Sequence, residues 1–270
     1  MNTVPAGNGW NWVLTGFALF RKSPAMWGLL VLSYIMLMQV LGMIPIVGWF
    51  AATVLIPTFS ASFMITSREI DQGRTLRFDL LFSGFKSNLP ALLAQGGLYL
   101  ASGLAILGLS ALVDGGLLLQ LMVLGAKPPA AAFEDGSLAG AAMLAGSLYL
   151  PVLAAFWFAP ALSAWRNLPA SQALFYSFFA ALSNWRAFFA YGLALILLSL
   201  ICSFVLFMLA LLVRGLLGNA SQHAFLLVML PVMLTYVPTL FASFYASYRD
   251  VFPQDEAAPE AKAEAEADTE

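Results

Sequence analysis

Six stretches of largely apolar residues, each long enough to cross a bilayer, divide this chain, and a backbone with that pattern has few ways to fold. Hydrocarbon offers no water to peptide N–H and C=O groups, so a spanning segment of about 20 residues must satisfy them internally, as an α-helix. The apolar windows lie near Ala25 to Met43, Val47 to Thr66, Ala91 to Val113, Leu138 to Ala164, Ala187 to Val213 and Ala224 to Ser247. They predict an all-α, polytopic bundle that uses residues 1–252 to span the membrane six times. Composition agrees, with 61% hydrophobic and 10% charged residues, outside the range of soluble domains. The loops left over are too short for a separate catalytic domain.

Windows one and two are separated only by Ile44, Pro45 and Ile46, with Gly42 and Gly48 beside them. That punctuation predicts a tight antiparallel hairpin. Basic residues set the orientation. Of twelve Lys and Arg, ten fall on one side of the zigzag: Arg21, Lys22, Arg68, Arg74, Arg77, Lys86, Arg166, Arg186, Arg249 and Lys262. Lys127 and Arg214 fall on the other. The positive-inside rule then predicts that both termini are cytoplasmic. Trp10, Trp12, Trp27, Trp165 and Trp185 flank the basic side, where indole rings favour the headgroup layer, and Trp49 marks the opposite one. Arg21, Lys22, Lys86, Trp165, Trp185 and Arg186 are the expected cytoplasmic anchors.

Three segments lie outside the windows. Gly115 to Ala126 is apolar but too short to cross, and reads either as an interfacial or re-entrant helix on the outer side or as an extension of the third span lying flat on the bundle. Residues 253–270 read as a disordered acidic cytoplasmic tail, rich in Ala, Glu and Pro without an aromatic ring. From Gln254 on it holds seven acids against Lys262. Without it eleven bases face seven acids, a net +4 that suits contact with anionic lipid. The first apolar window runs directly into the second and reads as a retained span, not a cleaved signal peptide.

The windows fall into three related hairpins. Each opens with an aromatic, amphipathic segment ending in a base: Phe17 to Arg21, Phe78 to Lys86 and Phe175 to Arg186. Each returning window carries a proline before small and polar residues, at Pro57, Pro160 and Pro238. Kinks there, with Ser60, Ser163 and Ser243 nearby, are the candidate lining of a groove between hairpins. Gly97, Ala101 and Ala105, spaced by four, and Gly136 with Gly140 mark faces for close helix contact.

Chemistry is sparse. No Asp, Glu, Lys or Arg lies mid-window, which disfavours a proton-coupled pump. Gln39, Gln95 and Gln120 read as interhelical hydrogen-bond partners. His223 stands without the cysteines or paired carboxylates of a zinc site, and Cys202 is the lone cysteine, a packed thiol. Glu69, Asp71 and Asp79 share a loop with Arg68, Arg74 and Arg77, a pattern of local ion pairs. These residues predict no catalytic site, no metal and no cofactor. Leu174 to Trp185 is aromatic enough to lie along the inner leaflet.

The run Phe158-Ala159-Pro160-Ala161-Leu162, then Trp165, Pro169, Ala173-Leu174, Ser177-Phe178 and Asn184-Trp185-Arg186-Ala187-Phe188 resembles the signature of an uncharacterised family of proteobacterial polytopic inner-membrane proteins. Phe20-Arg21-Lys22-Ser23-Pro24 and Phe82-Ser83-Gly84-Phe85 are similar to its other recurring segments. The resemblance implies a six-span protein of a bacterial inner membrane and brings no activity with it. Two functions stay open at this point: a non-enzymatic protein that organises or senses the bilayer or scaffolds a partner, and a transporter or channel for a lipid-like or uncharged solute. A lipid enzyme would need His223 or Asp79. Membrane lipids are the expected partners, with a protein partner on the cytoplasmic loops or acidic tail and no nucleic acid.

Overall fold

The computed structural model describes residues 1–45, 47–127, 129, 131–217 and 221–253, with backbone alone at 216, 217 and 221–228. The side chain of His223 and the acidic tail from residue 254 on lie outside the described residues. Within them the chain is helical, without a strand. Six helical stretches are long and apolar enough to cross a membrane. The protein is an integral membrane helical bundle.

A surface helix α1 (Asn8–Lys22) leads into the first hairpin, α2 (Pro24–Gly42) and α3 (Val47–Asp71). A 3-10 helix (Phe78–Lys86) precedes the second, made by α4 (Leu89–Asp114) and α7 (Ser137–Trp157), the latter continuing after a break as α8 (Ala159–Arg166). Between them lie α5 (Leu117–Leu124) and the one-turn α6 (Ala131–Glu134). Surface helix α9 (Ala170–Ser183) leads into the third hairpin, α10 (Trp185–Leu217) and α11 (Ser221–Val251).

The segment after α4 is a separate short helix. Gly115 and Gly116 adopt φ of +65° and +93°, a left-handed pair open to glycine without strain, and turn the chain away from the α4 axis. Asp114 fixes the turn: its two carboxylate oxygens accept the N–H groups of Gly116 (2.8 Å) and Leu118 (2.6 Å), capping α5. Asp135 does the same before α7, accepting the Ser137 N–H at 2.8 Å, and this bond holds its carboxyl below the usual carboxylate range.

The three surface segments share one way of packing. Each lies on the returning span of the hairpin before it in the chain, and α1 takes the place left on the last. Gly84 of the 3-10 helix meets α3 so closely that a Cβ would collide with the Thr58 carbonyl, and its N–H donates to Ser62 Oγ at 2.9 Å. Gly16 of α1 meets α11 in the same fashion at Thr239 and Ser243. Ser177 of α9 enters α7 itself, accepting the Phe158 N–H and donating to the Ala154 carbonyl, both at 2.9 Å. A hydroxyl inserted into the helical ladder explains the break at Phe158, after which α8 begins with Pro160 in its first turn.

Several expectations about packing are corrected. Trp12 and Trp27 are not open to the headgroup layer; they are 1% and 0% exposed and belong to the core. The close approach on α4 is made by Gly96, against the Val54 carbonyl, while Gly97 has open space beside it and Ala101 and Ala105 do not face a packed helix. Gly140 does meet Val113, at 3.2 Å, and Gly136 is the left-handed cap of α7. Of the three glutamines only Gln95 bonds across helices, its amide donating to Ser163 Oγ (2.7 Å) and the Ala159 carbonyl (3.2 Å). Gln39 and Gln120 are exposed.

Candidate functional site

Two places combine chemistry with geometry: an aromatic and charged plate at the basic end of the bundle, and a lateral groove beside α1.

The plate begins with Asp71 at the end of α3. Its carboxylate accepts from Arg249 (2.7 Å) and from the Tyr245 hydroxyl (3.1 Å) of α11, with Lys22 of α1 at 3.9 Å. One acid thus ties three helices, where local pairing within its own loop was expected. The rest of that loop pairs as its spacing suggests: Arg74 with Glu69 at 3.2 Å, and Asp79 with Arg77 at 3.1 Å and Lys86 at 3.9 Å. Asp250 accepts from Trp12 Nε1 (2.8 Å) and Asn8 (2.9 Å), anchoring α1. Asn184, ahead of α10, holds the extended N-terminus through the Val4 N–H (2.8 Å) and the Asn2 carbonyl (3.1 Å).

Aromatic rings fill the space between these bonds. Trp165 packs edge-on against Tyr248 with centroids 4.7 Å apart, and the Arg68 guanidinium lies 5.1 Å over its ring. Arg166 lies 5.0 Å over Phe252. Trp165 is therefore a packed member of the plate more than a free anchor. The exposed rings beside cations are elsewhere. On α9 and the start of α10, Phe175, Phe179 and Trp185 face outward, with Arg186 5.5 Å over the Trp185 ring. On α1, Trp10, Leu14 and Phe17 face outward, with Arg21 5.9 Å over Phe17. Lys22 turns inward to the Ile70 carbonyl at 3.3 Å, and Lys86 stays exposed.

The predicted prolines and serines do not form a groove together. Pro57, Pro160 and Pro238 are buried in the packed half of the bundle, and α3 and α11 run through their prolines unbroken. Ser163 is buried, bonded to Gln95 and to the Leu168 carbonyl at 2.9 Å. Ser243 is buried against the Tyr191 hydroxyl at 2.6 Å. Ser60 is half-buried on α3. The residues matching Ser243 in role are Ser62 and, in the turn before it, Thr58, both fully buried; their offsets of five and one from the proline repeat at Ser243 and Thr239. That offset was present in the sequence and was the signal to follow.

A groove does exist, at a different place. It encloses about 520 Å³ between α1, α10 and α11, with a lining that is almost wholly apolar. Trp10, Leu14 and Phe17 supply the α1 wall, Cys202 lies on the α10 wall, and Val232 and Thr235 on the α11 wall. Among the described residues no group of His, Cys, Asp or Glu is arranged to hold a metal ion.

The chain is 38% identical over 263 residues to a probable inner membrane protein of Burkholderia thailandensis, a match that covers 95% of each chain. No family model matches it. No solved structure matches it either.

Proposed function

The chain belongs to the same family as the Burkholderia thailandensis protein, and from that premise we propose that it is a non-enzymatic protein of the bacterial inner membrane that organises or senses the bilayer by engaging anionic lipid at its basic end. The observation that carries this reading is the pairing of exposed rings with exposed guanidinium groups at two places: Phe17 with Arg21 on the surface helix α1, and Trp185 with Arg186 in the first turn of the span α10, just after the surface helix α9. Rings of that kind partition into the headgroup layer, and each cation near an anionic surface contributes roughly 1 kcal/mol. The surface helices α1 and α9 are clamped to spans through buried contacts at Gly9, Gly16 and Ser177, so the outer face of α1 and the chain entering α10 are held ready for lipid. The bias of bases toward this end supports a cytoplasmic placement for it, with both termini inside. The basic loops and the acidic tail are the surfaces offered to a protein partner.

The test is the lipid retained when the full chain is extracted in native lipid particles. Phosphatidylglycerol and cardiolipin are expected in excess over their share of the membrane. A Trp185→Ala, Arg186→Gln double substitution is expected to lower that excess several-fold; lipid retained in bulk proportion by the unaltered chain would reject the reading. One observation favours transport of a lipid-like solute as a second reading, namely the lateral groove beside α1. A lipid-flipping assay in proteoliposomes separates the two, since an organiser leaves the flip rate at the background of empty vesicles.

A further inference from the structure

Resting on the reading of a lipid-engaging protein, we propose that the groove between α1, α10 and α11 is a specific site for one acyl chain of an anionic glycerophospholipid, with Arg21 at its mouth pairing with the phosphate. The volume of about 520 Å³ lies within the span of small-molecule sites, about 300–1,000 Å³. The lining selects the occupant. Its hydroxyls are already committed: Thr235 donates to the Pro231 carbonyl (3.0 Å), Thr239 to the Thr235 carbonyl (2.7 Å), and Tyr236 pairs with Ser199 (3.0 Å). What faces the groove is hydrocarbon, sulfur and ring edge, so a polar solute entering it loses its water without finding partners, whereas an acyl chain loses nothing.

The wall from α1 supplies the polar end. Trp10, Leu14 and Phe17 follow the i, i+4, i+7 spacing of one helical face, and the next turn on that face is Arg21, exposed and 5.9 Å from the Phe17 ring that lines the groove. Helix α1 carries no acidic residue, and the nearby carboxylates are engaged elsewhere, Asp250 by Trp12 and Asn8, Asp71 by Arg249 and Lys22. An apolar slot in a membrane protein whose α1 wall is followed, one turn on, by an exposed guanidinium matches a lipid's own plan, hydrocarbon chain then phosphate. The site joins residue 10 to residue 235, and both walls are needed to make it.

The experiment uses the full chain in phosphatidylcholine vesicles doped with phosphatidylglycerol carrying a photoreactive diazirine on one acyl chain, with a phosphatidylcholine probe of the same design in parallel. Adducts are expected to concentrate on peptides holding Leu197 to Cys202 and Pro231 to Thr239. Val232→Trp, which fills the groove, is expected to reduce them about tenfold. Arg21→Gln is expected to reduce the phosphatidylglycerol adducts about fivefold, the fold-change that corresponds to losing one interfacial cation, and to reduce the phosphatidylcholine adducts less, because choline's own cation already offsets that phosphate. Adducts spread evenly over the lipid-facing surfaces of α4 and α7, or an unchanged yield in Val232→Trp, would overturn the site. Should Val232→Trp fail to fold, competition by unlabelled lipids on the unaltered chain decides: the proposal requires phosphatidylglycerol to displace the probe and phosphatidylcholine to displace it at least fivefold less well. Loss of the groove adducts with retained enrichment of anionic lipid by the Trp185 and Arg186 rim would remove this site and leave the broader function standing.

Discussion

Gly84 and Gly97 show how much a single methyl group means in this bundle. At Gly84 a Cβ would run into the Thr58 carbonyl, and the only relief is to lift the 3-10 helix away from α3, which also breaks the 2.9 Å bond to Ser62. Gly84→Ala is expected to lower stability by about 1–3 kcal/mol, read as the midpoint of thermal unfolding in detergent. Gly97→Ala, with open space beside it, is the control and is expected to leave the midpoint unmoved or slightly raised, since alanine favours helix. Ser177→Ala removes the hydroxyl that bridges Phe158 and Ala154 and leaves both backbone groups unpaired in a dry interior, an expected loss of about 1–3 kcal/mol. Ser147→Ala on the exposed face of α7, where the hydroxyl only bonds back to the Met143 carbonyl, is expected to be neutral in the same assay. None of this contrast was legible in the sequence. Adjacent residues on a helix point about 100° apart, and in a soluble protein polar residues mark which side faces water. Here lipid is as apolar as the core, so the pattern carries no phase. Gly96 was indistinguishable from Gly97, and Gln95 from Gln39 and Gln120.

At the scale of elements, the spans were legible because their signal is a sum over some 19 residues that no single substitution hides. The three surface segments were legible too, since rings and a terminal base stand out between apolar runs. Their docking was not. The sequence presents the first segment as the opening of the first hairpin, yet α1 lies on α10 and α11, at the far end of the chain, through Gly9 and Gly16. This is why Trp12 is buried and why the groove was missed: its α1 wall and its α11 wall are more than 200 residues apart. Asp71 belongs to this scale, because it is shared by α1, α3 and α11. Its carboxylate is largely covered, and Asp71→Asn leaves Arg249 beside a neutral amide. An expected loss of about 1–2 kcal/mol, between the values for an exposed pair and a hydrogen bond to a charged group, is checked by thermal unfolding, with Asp79→Asn on the exposed rim unchanged.

For the molecule as a whole, buried side chains crowd toward the basic end, where Phe59, Phe63, Phe158, Tyr245 and Tyr248 are all nearly inaccessible, whereas α10 beyond Ala194 is lined by exposed Leu200, Phe204 and Phe207. A bundle built this way gains its rigidity from the plate and leaves its outer half to be covered by lipid, which requires the plate to sit at one definite side of the membrane. From the distribution of bases we propose that this side faces the cytoplasm. The assignment is open to a direct measurement, because Cys202 is the lone cysteine and a Cys202→Ala background frees every other position for labelling. Arg74→Cys and Lys127→Cys both fall in exposed loops, at opposite ends of the same bundle. With a thiol reagent that cannot cross the inner membrane, Lys127→Cys is expected to react in intact spheroplasts, and Arg74→Cys only after the membrane is opened. Labelling of Arg74→Cys in sealed spheroplasts would turn the molecule over, placing the exposed guanidinium groups of Arg21 and Arg186 against the outer leaflet and removing the physical ground for a lipid-engaging function on the cytoplasmic side.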